Sequence, residues 1–157
     1  MTFEHSIVIR ATPAQLFALT QDYSRRLEWD PFLKEAYLLD GATETGVGVR
    51  ANCVAKSGLA METEYISFNP PQTTAVKMTK GPWFIESFSG SWRFREEGEG
   101  QTRVHFRYHL RARPTWLAAV MTPVIGFIFG RDTRKRLVAL KCAVEEERIL
   151  EMTCARR

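Results

Sequence analysis

The 157-residue chain is long enough for one domain with a substantial hydrophobic core, and its 45% hydrophobic and 25% charged residues are typical of a globular protein. The net charge of +4 is too small to indicate nucleic-acid binding by itself. Three widely spaced cysteines argue against a disulfide framework and against a zinc site. The opening MTFEHSIVIR lacks the apolar core of a signal peptide. Together these features predict a cytoplasmic protein.

The first part of the chain predicts one strand and two short helices. Phe3–Arg10 is rich in β-branched residues, which favour a strand. The sequence TPAQ, beginning at Thr12, starts a helix, because it places proline at the first helical position and forms a capping box. A second short helix, capped by Ser24, ends at Trp29, since the residue before Pro31 is disfavoured in a helix.

Six further strands follow, joined by short turns. The predicted strands are Leu33–Leu39, Val47–Ala55, Leu59–Phe68, Thr74–Met78, Phe84–Arg95 and Arg103–Arg111. The last strand alternates most regularly, with apolar residues on one face and arginine or histidine on the other. In the strand before it, the apolar face contains Phe84, Glu86, Phe88, Gly90, Trp92 and Phe94.

The C-terminal segment predicts two helices. Its first part, TWLAAVMTPVIGFIFG, carries no charge, while its second part places an apolar stripe opposite a charged face that includes Arg136. One unbroken helix would be about 55 Å long, whereas a domain of this size has a radius of gyration of about 15 Å. We therefore predict a short helix over Pro114–Met121, a main helix over Pro123–Leu150 and a flexible tail over residues 151–157.

A long antiparallel sheet with one apolar face needs a cover, and the C-terminal helix is the element large enough to provide it. The predicted fold class is therefore α+β, in one domain spanning residues 1–150. A curved seven-stranded antiparallel sheet surrounds the long C-terminal helix, with two short helices after the first strand. A sheet curled around one helix tends to leave a cavity.

Four segments resemble a known superfamily: SIVIRATPAQLFAL, DYSRRLEWDPF, GPWFIESFSGSWRF and RLVALKCAVEEE. They are similar to the helix-grip fold of the SRPBCC superfamily, which includes START lipid-transfer domains, the major birch pollen allergen and polyketide cyclase/dehydrase-like proteins. The resemblance covers nearly the whole chain, but its motifs are structural and support the fold more than a function. It implies a hydrophobic small molecule held between sheet and helix, and in a minority of members a cyclase or dehydratase activity.

The inward faces supply a dense aromatic set that predicts either core packing or the wall of an apolar pocket. The candidate ligand-binding residues are Met61, Tyr65, Phe84, Phe88, Trp92, Phe94, Phe106, Tyr108 and Phe127. Of these, we expect Trp92, Tyr108 and Phe127 to border one cavity. No cofactor is expected.

Glu86 and Tyr108 are the candidate catalytic residues. Glu86 is the acidic residue on the inward parity, where burial would raise its pKa toward the range of a general acid or base; a bulge near Pro82 would instead turn it outward. Tyr108 could orient a substrate carbonyl. His105 and His109 lie between arginines with no third ligand in register, so no metal site is expected.

Three functions remain open. The favoured one is binding or transport of a lipid, quinone or polyketide-like molecule. The alternatives are a cyclase/dehydratase-like enzyme using Glu86, and an interaction protein resembling the quinone-binding or ribosome-associated members of the superfamily. The arginines of the last strands predict a solvated face rather than a nucleic-acid surface. The uncharged Trp116–Phe129, followed by basic residues, predicts a gate that makes transient contact with a membrane surface.

Overall fold

The computed structural model describes residues 1–146 and 148–151, and within them seven strands and three helices. Residues 152–157, most of the predicted tail, lie outside the described residues. In chain order the elements are β1 (Thr2–Ile9), α1 (Pro13–Gln21), α2 (Arg26–Trp29), β2 (Leu33–Leu38), β3 (Arg50–Ala55), β4 (Ala60–Asn69), β5 (Thr73–Lys80), β6 (Ile85–Gly98), β7 (Gln101–Ala112) and α3 (Thr115–Glu145).

The strands form one antiparallel sheet in the order β1-β7-β6-β5-β4-β3-β2. Strands β2 to β7 follow one another as a meander, and β1 pairs with β7 at the far edge. The alternation predicted for β7 is confirmed, since Val104, Phe106 and Leu110 are buried while Arg107 and Arg111 are exposed. The sheet curls around α3, which confirms the predicted fold class.

The predicted start of α1 is confirmed, and the start of α2 is not. The Thr12 hydroxyl accepts a hydrogen bond from the Gln15 amide at 3.3 Å, and the Gln15 side chain accepts one from the Thr12 amide at 3.0 Å. Helix α2 begins at Arg26 without a side-chain cap. Ser24 instead donates its amide to Asp22 Oδ1 at 3.0 Å, so its role is in the turn between the two helices.

A bulge at the start of β6 changes which residues face inward. Ile85 pairs with Ala112, but the next pair along is Ser87 with Arg111, so one additional residue, Glu86, is inserted into β6. Ile85 is 3% exposed and takes the inward position. The predicted parity is therefore correct from Phe88 onward and wrong at Glu86, while Phe84 ahead of the bulge still packs against the cluster that contains Ile85.

Helix α3 is continuous over Thr115–Glu145, so the predicted break at Thr122-Pro123 is wrong, and so is the predicted end at Leu150. At 1.5 Å per residue its 31 residues span about 46 Å. In its second half, Thr133, Arg136, Leu137, Leu140, Ala143 and Val144 are buried. Trp116 and Phe127 in the first half are 72% and 69% exposed. Exposed positions such as these need no place inside the core, so the radius of gyration did not limit the length of the helix.

The core lies between the second half of α3, helix α1 and strands β1, β6 and β7. Leu140 is 0% exposed in this cluster, so Leu140→Ala should lower the free energy of unfolding by about 2–5 kcal/mol through lost contacts and a residual cavity. Val138 lies on the same helix and is 45% exposed, so Val138→Ala should change it by no more than about 0.5 kcal/mol. Urea unfolding of both variants measures the difference, and similar losses would contradict this packing of α3.

Candidate functional site

An apolar cavity of about 130 Å³, the inner cavity, lies between α3 and the inward faces of β2 to β7. A second cavity of about 530 Å³, the outer cavity, adjoins it. The two share five lining residues: Phe32, Leu59, Phe129, Asp132 and Arg136. The outer cavity is also lined by the exposed Lys56, Ser57 and Lys135, so it connects the inner cavity with the surface.

Six of the nine residues predicted to bind ligand line the inner cavity: Met61, Tyr65, Phe88, Trp92, Phe106 and Tyr108. Phe84 lines the outer cavity. Phe94 lines neither, because it is 3% exposed in the core between Phe17 and Trp92. Phe127 points away from both, so its predicted place beside Trp92 and Tyr108 is wrong. Phe129 lines the cavity instead, because two residues along a helix rotate a side chain by about 200°.

The aromatic residues of β6 and β7 form a continuous wall. The ring centroids of Trp92 and Phe106 are 4.1 Å apart, those of Phe106 and Tyr108 are 4.4 Å apart, and those of Phe88 and Tyr108 are 4.9 Å apart. Gly90 leaves the space for this wall, since a Cβ there would lie 3.2 Å from the Tyr108 ring. Rings packed in this way give the cavity a fixed apolar surface.

Glu86 lies outside the cavity. The bulge turns its side chain to the outer face of the sheet, where it is 47% exposed and its Oε2 lies 3.8 Å from Arg111 Nε. The prediction that Glu86 is a buried cavity carboxyl is therefore wrong. A single inserted residue turns Glu86 outward, and the letters of the sequence do not mark where such an insertion occurs.

The buried carboxyl of this region is Asp30, which the sequence analysis did not identify. Its Oδ2 accepts hydrogen bonds from Arg26 Nε at 3.0 Å, from Arg136 Nε at 3.1 Å and from Arg136 Nη2 at 2.5 Å. Its Oδ1 accepts one from the Phe32 amide at 3.1 Å. Arg136 Nη1 also donates to the Tyr108 hydroxyl. Arg136 was assigned to the charged face of α3, and this is wrong, because its side chain is only 6% exposed.

This network stays ionised at neutral pH. Burial by itself raises the pKa of Asp30, but the guanidinium groups of Arg136 and Arg26 outweigh burial and hold that pKa below its usual value. Burial by itself lowers the pKa of Arg136, and the Asp30 carboxylate reverses this, so Arg136 remains charged. Two cations therefore share one anion at the edge of the inner cavity.

Four other polar residues of the inner cavity stay neutral. Tyr65 donates to Gln21 Oε1 at 2.7 Å. Burial raises the pKa of Tyr23, Tyr65 and Tyr108, and it also raises the pKa of the Cys53 thiol. All of these shifts move away from neutrality, which suits binding better than proton transfer near pH 7.

The predicted histidine pair lies on the outer face. His105 Nε2 is 3.6 Å from Glu4 Oε2, and His109 Nδ1 is 3.1 Å from Thr2 Oγ1. Within the described residues, no three His, Cys, Asp or Glu side chains are grouped so that they could hold a metal ion. No helix among the described residues is both long enough and apolar enough to cross a membrane.

A family model described as "Polyketide cyclase / dehydrase and lipid transport" matches residues 1–145, in agreement with the resemblance noted in the sequence. A search of curated proteins found no match. Among solved structures, TTHA0849 from Thermus thermophilus is similar with a TM-score of 0.76 at 15% identity, covering 90% of this chain and 94% of its own.

Aromatase/cyclases are also similar to this chain in fold. The Zhui aromatase/cyclase from Streptomyces sp. R1128 has a TM-score of 0.71 at 14% identity, covering 94% of this chain and 97% of its own. The di-domain aromatase/cyclase StfQ from the steffimycin biosynthetic pathway has a TM-score of 0.74 at 13% identity, covering 93% of this chain and 51% of its own. These likenesses confirm the helix-grip fold.

Removal of the Asp30 carboxylate should destabilise the protein near neutral pH, because it leaves buried charges unpaired. Asp30→Asn leaves two buried arginines without a counter-charge and should lower the free energy of unfolding by about 3–5 kcal/mol. Because the pKa of Asp30 is lower in the folded chain, its contribution is complete only above the unfolded pKa of about 3.9 and is lost as the pH falls through the folded pKa. Denaturant unfolding from pH 7 to pH 2 should show the two proteins converging in acid.

The matched control for Asp30→Asn is Asp40→Asn. Asp40 pairs with Arg50 at 3.0 Å, but its side chain is 63% exposed, so its loss should cost no more than about 1 kcal/mol at any pH. A constant difference between wild type and Asp30→Asn across this pH range would contradict the ionised network.

Proposed function

The chain belongs to the polyketide cyclase/dehydrase and lipid transport family, and we propose that it binds a hydrophobic small molecule in the inner and outer cavities. The observation that carries this proposal is the aromatic wall of Phe88, Trp92, Phe106 and Tyr108, which faces an unfilled apolar space connected with the surface. A flat or extended apolar ligand would cover this wall and displace water from it. Lipids, quinones and polyketide-like molecules have this character.

Binding or transport is favoured over catalysis. The enzyme alternative is supported by the likeness to aromatase/cyclases, and Tyr108 keeps its candidate role of orienting a carbonyl with its hydroxyl. An acid–base mechanism would need a cavity group that exchanges protons near pH 7. The pKa of Asp30 is shifted further below 7 and the pKa of Tyr108 further above 7, so neither group suits that task.

The third alternative is a quinone-binding or ribosome-associated interaction protein, and docking on the ribosome is its least supported form. Such docking would use the arginines of the outer face. Three of them have acidic neighbours: Arg103 with Glu97, Arg107 with Glu4, and Arg111 with Glu86. The outer face is therefore close to charge balance along β7.

The cavities should bind neutral hydrophobic molecules. Protein purified without detergent should show a co-purified apolar mass in native mass spectrometry. After removal of that molecule, a long-chain alcohol, a quinone or a flat polycyclic aromatic should quench tryptophan fluorescence, because Trp92 lines the inner cavity.

A cavity-filling variant gives the matched comparison. Met61 lines the inner cavity on β4, so Met61→Trp should weaken binding of these molecules at least tenfold, about 1.4 kcal/mol. Ile66 on the same strand is 48% exposed, so Ile66→Trp should leave binding unchanged. If no neutral ligand binds, or if both variants bind like wild type, the proposed function is wrong.

We also propose that the first half of α3 contacts an anionic membrane surface while the ligand enters. Trp116, Phe127, Arg131 and Arg134 are all exposed, and at 100° per residue they fall within about 60° of one another on the helix. We call these four residues the exposed stripe. Aromatic side chains followed by arginines on one helix face suit the boundary between lipid tails and anionic headgroups.

Hydrogen exchange tests the membrane proposal. Amides of residues 116–130 should exchange faster than those of 137–144, where the helix packs on the core, and anionic vesicles should slow the first group only. Replacing both Trp116 and Phe127 with Ser should abolish this slowing, whereas Tyr37→Ser, at a 48% exposed position on β2, should not. Equal protection in both segments, unchanged by vesicles, would contradict the proposal.

A further inference from the structure

We propose that the ligand carries a carboxylate group and that Arg26 and Arg136 bind it at the edge of the inner cavity. This inference rests on the proposed function and adds the chemical class of the ligand. It comes from the charges beside the inner cavity, where two buried guanidinium groups line the wall and the buried carboxylate that they share does not.

The two arginines line the cavity, whereas the carboxylate that pairs with them does not. Arg26 and Arg136 line the inner cavity, and Arg136 lines the outer cavity as well, whereas Asp30 lines neither. The side chains of the two arginines are 8% and 6% exposed, and that of Asp30 is 0% exposed. Two buried cations that share one carboxylate have less counter-charge than two separate ion pairs would have, so the side of the guanidinium groups that faces the cavity favours an anionic guest.

The arginines are held in place and still have a donor available. Arg26 donates Nε to Asp30 and Nη1 to the Thr20 carbonyl at 2.8 Å. A guanidinium has five N–H groups, and none of the protein hydrogen bonds described for Arg26 uses Nη2. The guanidinium carbons lie 4.7 Å from the Trp29 ring for Arg26 and 5.4 Å from the Phe106 ring for Arg136. These aromatic faces fix the guanidinium groups without neutralising them.

The remaining polar groups of the wall do not pair with the two arginines as an anion would. Burial raises the pKa of Tyr23, Tyr65, Tyr108 and Cys53, so these four are neutral at pH 7. Asp132 lines both cavities and is half-buried, but no ion pair joins it to Arg26 or Arg136 within the described residues.

A carboxylic acid therefore fits better than its neutral or cationic counterparts. An ester or a quinone carbonyl can accept a hydrogen bond from a guanidinium but leaves the excess charge uncompensated. An amine would add a second positive charge. A carboxylate supplies both the charge and acceptor oxygens, and charge-assisted hydrogen bonds are the stronger kind.

Calorimetric titration of the wild-type protein with matched ligands tests this inference. Dodecanoate, methyl dodecanoate and dodecylamine share one chain and differ in head-group charge at pH 8. We expect dodecanoate to bind roughly 10- to 100-fold more tightly than the ester, as a charge-assisted hydrogen bond implies, and the amine to bind most weakly. The same order should hold for 2-naphthoate against its methyl ester, which replaces the chain by flat rings.

Variants of the arginines assign the preference to them. Arg136→Met and Arg26→Met each leave Asp30 with one arginine, so the buried charges balance and the preference for acid over ester should fall to less than about threefold. Arg136→Lys keeps the charge and should keep most of the preference. Arg95→Met, at an exposed position on β6, removes the same charge from the outer face and should change nothing. Circular dichroism confirms folding, and the wild-type comparison holds even if a Met variant does not fold.

The outcomes separate the two proposals. Equal affinity for acid and ester in the wild-type protein would overturn the carboxylate inference and leave hydrophobic binding intact. A preference for the acid that survives in folded Arg136→Met and Arg26→Met would overturn the assignment to these arginines. Failure of both the acids and the esters to bind would overturn the proposed function and the inference together.

Discussion

The Asp30 carboxylate holds together parts of the protein that are far apart in sequence. It directly follows α2, accepts hydrogen bonds from Arg136 on α3 and, through Arg136, is connected with Tyr108 on β7. Buried ion pairs are weak evidence for stability, because the desolvation of the charges offsets their attraction. Their value is geometric, since an arginine that must reach one carboxylate fixes how α3 lies over the sheet. The space between helix and sheet, and therefore the cavity, depends on that distance.

Much of the fold could be predicted because it follows from alternation and capping. The arginines of β7 alternate with apolar residues, and the capping box at Thr12 uses residues with a defined local geometry. The helical break at Pro123 was wrong because it assumed that all of α3 packs inside the domain. Whether a helix extends beyond its core depends on the length of the sheet beneath it, which local sequence does not state.

The site was predicted less well than the fold, for a related reason. Six aromatic or apolar wall residues could be found by parity, since a regular strand repeats every two residues. Glu86 could not be placed, because one inserted residue reverses the pattern. Arg26 and Asp30 were not identified, although they are four residues apart around a helical turn. Arg136 was assigned to the charged face of α3, although it is next to the core residue Leu137. Those spacings were the signals that the sequence offered. They indicate a buried network only once it is known that Asp30 contacts Arg136, which lies 106 positions later in the chain.

Helix α3 has the mechanics of a lever. Leu137 and Leu140 hold its second half in the core, Arg136 lies at the cavity, and Trp116 lies 20 residues away at the exposed end, about 30 Å along the axis. A tilt of about 5° around Arg136 therefore moves Trp116 by roughly 3 Å, given the 1.5 Å rise per residue. A guest that tilted α3 at Arg136 would therefore displace Trp116 by a larger distance than it displaced the guanidinium group itself.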